Sequence, residues 1–87
     1  MSQTNFPILP PSQTVVLDSS AIAQVTYEHP QEILRVEFRD GRVHQYSTVS
    51  VGTYLDLLSA SSKGAHFNRY IRNQFPQRAV RGPRRSN

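Results

Sequence analysis

The sequence predicts a small α+β domain: an antiparallel meander sheet of three or four strands, followed by two C-terminal helices packed on one face. Two observations carry that reading. Residues 33–47 alternate apolar and polar side chains on either side of Asp40-Gly41, the mark of a hairpin with one buried face. After Val49 the apolar period lengthens to that of a helix, with a break at Ser61-Ser62-Lys63-Gly64.

Residues 1–13 lack periodicity and hold three of the six prolines, so they read as a flexible Pro-rich leader. Thr14-Val15-Val16-Leu17 is a short apolar run closed by the turn cluster Asp18-Ser19-Ser20. Ala21 to Glu28 is a β-branched and aromatic run that His29-Pro30 interrupts. The hairpin supplies two more strands. Ser50 is placed to cap a first helix, in which Val51, Tyr54, Leu55 and Leu58 share a face as far as Ala60. Ser62 is placed to cap a second, in which Phe67, Tyr70, Ile71, Gln74 and Phe75 follow helical spacing until Pro76 stops it. The folded domain is thus expected over residues 14–76. Residues 77–87 have no apolar face and read as a disordered basic arm.

The hairpin admits two registers. A two-residue turn at Asp40-Gly41 would put Phe38 opposite Val43 and display His44 and Tyr46 beside Arg35 and Arg39. A type I turn over Arg39-Asp40, with Gly41 left-handed, would instead pair Leu34 with Tyr46 and Val36 with His44. A one-residue slip exchanges the two faces. The second register is favoured because it buries Tyr46 rather than Gln45.

At 87 residues the chain is one modest domain. It has no cysteine, which excludes disulfides and thiolate metal sites and points to a reducing cytoplasm. No stretch is apolar enough for a membrane span. The net charge of +4 is segregated: residues 1–62 carry three arginines against six acids, whereas residues 63–87 carry seven cations and no acid. That asymmetry suggests a polyanionic partner for the C-terminal part.

In order and spacing, Ser19-Ser20-x-Ile22, Tyr27, Leu34-x-Val36-x-Phe38, Gly41, Tyr46, Val49, Tyr54, Leu58, Ser62-x-Gly64, Phe67-Asn68 and Ile71-Arg72 resemble the KTSC domain family. That family occurs as small bacterial proteins and at the C-terminus of some lysyl-tRNA synthetases. Where it has a Tyr-x-Tyr centre, this chain has His44-Gln45-Tyr46. The resemblance implies no established activity. It favours RNA by association with the synthetases.

The expected function is therefore a non-catalytic binding module for nucleic acid, RNA before DNA, without cofactor. Phosphate contacts are assigned to Lys63, Arg69, Arg72, Arg78, Arg81, Arg84 and Arg85. Ser62, Gly64 and Asn68 offer a phosphate site at a helix start. Tyr46 and His44, with Arg35, Arg39 and Arg42, would stack unpaired bases if the hairpin displays them. The alternative is a protein partner or homodimer engaged through a sheet edge. A small ribonuclease using His44, Tyr46, Arg42 and His66 is the remaining reading. The three histidines have no metal-ligand spacing, so no metal site is expected.

Overall fold

The structure is a computed structural model that describes residues 10–82. Its elements in chain order are β1 (Ser12–Val16), β2 (Ile22–Glu28), β3 (Ile33–Phe38), β4 (Val43–Tyr46), α1 (Val51–Ser59), α2 (Lys63–Tyr70) and β5 (Gln77–Arg81). The strands form one five-stranded antiparallel sheet in the order β1-β2-β3-β4-β5.

The hairpin takes the register that buries Tyr46: Leu34 lies opposite Tyr46 and Val36 opposite His44. Gly41, at φ 94°, makes this register accessible, because its N–H donates to the Phe38 carbonyl at 2.9 Å in a conformation that a side chain would oppose. The inward face of the sheet carries Ile22, Val25, Tyr27, Leu34, Val36 and Tyr46. Against it pack Tyr54 and Leu57 of α1, and Phe67 and Ile71 from α2 and its C-cap. Ser50 and Ser62 cap the helices as expected, accepting from the N–H groups of Thr53 (3.2 Å) and Ala65 (3.4 Å).

Three features differ from the sequence reading. The basic arm is not disordered at its start: residues 77–81 form β5. This strand has no apolar face to announce it, since all five residues are exposed. It forms because the edge of β4 offers unpaired backbone groups, and Arg81 adds a bond to the Gly41 carbonyl at 2.9 Å. Second, α2 ends at Tyr70, and a turn over 71–75 carries the chain back to β4. The requirement to reach that edge overrides the helical spacing. Third, Leu55 is 46% exposed, and Leu57 is buried in its place. The buried stripe of α1 centres on Tyr54, from which Leu55 is rotated about 100°.

The end of the core nearest α1 is tightly closed. The Tyr27 and Tyr54 rings stack at 4.4 Å with 8° between their planes. The Tyr27 hydroxyl donates to the Val49 carbonyl at 2.6 Å, and the Tyr54 hydroxyl donates to Gln13 Oε1. Between β4 and α1 the chain passes through Thr48 at φ 59°, a strained conformation for a β-branched residue.

Candidate nucleic-acid interface

At the other end of the core, an open cleft of about 500 Å³ separates the hairpin tip from the C-terminal end of α2. The tight turn at Gly41 brings Arg39, Asp40 and Arg42 to one rim. Asn68, Arg72 and Asn73 form the opposite rim, and Gln77 at the start of β5 closes one side. Phe38, His44, Tyr46 and Phe67 make the floor. Phe67 meets Tyr46 and Phe38 edge-on, at 5.4 and 5.7 Å between centroids, so the floor is held by aromatic packing.

The three guanidiniums of the cleft differ in freedom. Arg39 is a structural clasp, donating from Nε to the Ser19 carbonyl at 2.9 Å and from its Nη2 to the Leu17 carbonyl at 3.1 Å. Arg42 donates through Nε to Asp40 Oδ2 at 2.8 Å and lies 5.0 Å from the Phe38 ring centroid. Arg72 is exposed, and among the described residues its guanidinium makes only a long 3.5 Å bond to Asn68 Oδ1. The Arg42 backbone N–H, donating to Asp40, holds that carboxyl below its ordinary value, with the guanidinium adding to the effect. Burial pushes the Tyr46 phenol up, while Arg72 and Arg42 pull it part of the way back.

The structure distributes the sequence-assigned residues over several surfaces. Tyr46 is 1% exposed, so its ring cannot stack a base, and the displayed platform of the other register does not exist. His44 is half-buried, edge-on to Phe38, with Nδ1 3.3 Å from Gln77 Oε1. Arg72 and Asn68 do meet at the cleft. Arg69 turns away and lies 5.6 Å from the Tyr70 ring centroid. Lys63 curls onto the Ala60 carbonyl at 2.9 Å. Ser62 and Gly64 line a second hollow with Lys63, Asn68 and Asp18, whose carboxylate opposes an anion there. Arg78 and Arg81 lie on the outer sheet face, Arg78 opposite Gln45 and Arg81 paired with Glu37 at 3.4 Å. Arg84 and Arg85 are outside the described residues, as are Pro7 and the apolar residues of 1–9.

The ribonuclease set is not assembled, since His66 is not a cleft residue and instead lies 4.7 Å from Tyr70. Among the described residues no group of three or more His, Asp or Glu side chains is placed to hold a metal ion. Asn73 and Gln77 escaped the sequence reading because one was assigned to a helix and the other to the arm.

A family model for the KTSC domain matches residues 18–75. The chain belongs to the KTSC domain family. A KTSC domain protein from Yersinia pestis has the same fold, with a TM-score of 0.76 and 29% identity over 79% of this chain and 97% of that one. An uncharacterized protein of Stutzerimonas stutzeri is 38% identical over 60 residues, covering 69% of this chain and 84% of its own. A lysine–tRNA ligase of Nostoc punctiforme is 39% identical over 70 residues, which is 80% of this chain but only 11% of the ligase. The KTSC match excludes β1 and β5, the two edge strands. All but one of the residues lining the cleft lie within it, Gln77 being the exception.

Proposed function

We propose that this KTSC domain is a small non-catalytic module that binds RNA through its phosphates. The observation that carries the reading is the cleft itself, where three guanidiniums, three side-chain amides and a single carboxylate converge on an aromatic floor. Guanidinium forks match phosphate oxygens, and amides supply further donors. Residues 63–82 add to the field with four further cations beside Arg72 and no acid. The similarity to a segment of lysine–tRNA ligases favours RNA over DNA.

The test is fluorescence anisotropy of a short labelled single-stranded RNA across a salt series, with DNA of the same sequence alongside. Affinity should fall steeply with salt. Arg42→Ala and Arg72→Ala should each weaken binding and lower the slope of log affinity against log salt by about 1. A slope unchanged in both variants would remove the cleft from the interface.

A second reading, a protein partner or a second copy paired at a sheet edge, is favoured by the exposure of Val16 on β1 (74%) and Val80 on β5 (47%). Sedimentation over a range of protein concentrations checks for the second copy.

A further inference from the structure

Tyr27, Tyr46 and Tyr54 are all buried to within 1% of complete, yet their hydroxyls are treated differently. Tyr27 and Tyr54 donate to Val49 and Gln13. The Tyr46 hydroxyl has no hydrogen-bond partner among the described residues and is not sealed from solvent: it opens on the cleft that Tyr46 lines. A phenol whose ring is locked in the core while its oxygen opens on a cleft, without a protein partner, is a fixed donor offered to a group from outside.

The surroundings define that partner. Arg72 and Arg42 line the same cleft as Tyr46, on opposite rims, and both guanidiniums draw the phenol pKa down. A tyrosine phenol is protonated at neutral pH, and burial pushes it further that way, so it is a donor. Arg42 commits Nε to Asp40, and its terminal nitrogens have no protein partner among the described residues. Arg72 holds only its long contact to Asn68. Asp40, the one carboxylate lining the cleft, is already engaged by Arg42. What fits between a neutral O–H donor and two guanidinium forks is an anion with several oxygens.

We propose that Tyr46, Arg42 and Arg72 form a seat for a single phosphoryl group, with the Tyr46 hydroxyl donating to one of its oxygens. The phosphoryl group belongs either to a nucleic-acid backbone or to a small phosphate ester; the first source rests on the RNA reading above, and the seat itself does not. Tyr46 thus serves recognition through its oxygen while its ring serves the core.

The experiment is an NMR titration at low salt of wild type and Tyr46→Phe with three probes: a short single-stranded RNA, adenosine monophosphate and adenosine. The Phe variant keeps the ring packing and loses no hydrogen bond to the described residues, so it should melt with the wild type. In the wild type, the RNA and the monophosphate should shift signals of Tyr46, Arg42 and Arg72, and adenosine should not. In Tyr46→Phe, affinity for both should fall by about tenfold, as expected for one lost bond to a charged group. Equal RNA affinity in the two proteins overturns the seat and leaves RNA binding intact. Monophosphate binding at Tyr46 without RNA binding upholds the seat and overturns the RNA reading. Binding of neither probe overturns both. Should the Phe variant fail to fold, Arg72→Met at an exposed position is judged by the same outcomes.

Discussion

The two ends of the core are built from the same residue type and finished in opposite ways. At the α1 end, Tyr27 and Tyr54 stack and both hydroxyls are satisfied within the chain. At the α2 end, Tyr46 is packed edge-on by Phe67 and its hydroxyl has no partner among the described residues. The first end spends its polar atoms on holding the sheet to the loop before α1. The second leaves them beside two arginines. The difference separates a tyrosine that stabilises from one placed to recognise, although burial alone would class them together.

Alkaline pH should act on the closed end with the largest effect. Burial raises all three phenols, and the neighbouring Tyr27 reinforces the rise at Tyr54, whereas the guanidiniums oppose it at Tyr46. A folded pKa above the unfolded value, about 10, means that the stability from neutral phenols is complete below that pH. It is lost as pH rises through the folded values. Phenolate absorbance and loss of the circular dichroism signal should therefore appear together in one cooperative step above pH about 10. Full ionisation of Tyr27 and Tyr54 with the fold intact would break the comparison.

Single hydroxyl deletions give the next effect. Tyr27→Phe leaves the buried Val49 carbonyl without its donor and should cost about 1–3 kcal/mol. Tyr46→Phe removes no bond within the protein and should change stability by less than about 0.5 kcal/mol. Chemical denaturation of the two variants measures the contrast directly. Equal losses would mean that Tyr46 has a protein partner after all.

How far this contrast was legible in the sequence depends on the range of each interaction. The burial of Tyr46 was favoured but left open, because alternation and Gly41 suit both registers and only the preference for burying Tyr46 rather than Gln45 separates them. The Ser50 and Ser62 caps were readable because a cap is local. Strand β5 was not, since it is held by backbone pairing to β4 and by Arg81 rather than by an apolar face. The cleft was hidden for a related reason. Its rims come from residues 39–42, 68–73 and 77, which only the return of the chain to β4 brings together. Arg72 was singled out for its charge, but nothing in the sequence set it apart from Arg69, which faces elsewhere. On the outer face Arg35, read as part of a stacking platform, is instead paired to Glu28 at 2.5 Å and to Gln45 at 3.1 Å.

The backbone offers a last contrast between the two ends, smaller than that of Tyr27→Phe against Tyr46→Phe. Gly41 and Thr48 both have positive φ, one at the open end and one at the closed end, and only the first is a residue suited to it. Thr48 is exposed, and its hydroxyl bonds only the carbonyl of the preceding Ser47, so its side chain contributes little packing. The conformation is imposed from both sides, before it by the bond from the Ser47 N–H to the Pro76 carbonyl at 2.9 Å, and after it by the Val49 N–H on the Glu32 carbonyl at 2.8 Å and by Tyr27 on the Val49 carbonyl. Thr48→Gly should relieve the strain and raise stability by about 1 kcal/mol, after the entropy that glycine gains in the unfolded chain. Gly41→Ala should move stability the other way by about 1–2 kcal/mol. Thermal melts of both variants decide the matter. A loss of stability in Thr48→Gly would show that the threonine side chain, rather than the Tyr27 bond, holds this corner closed.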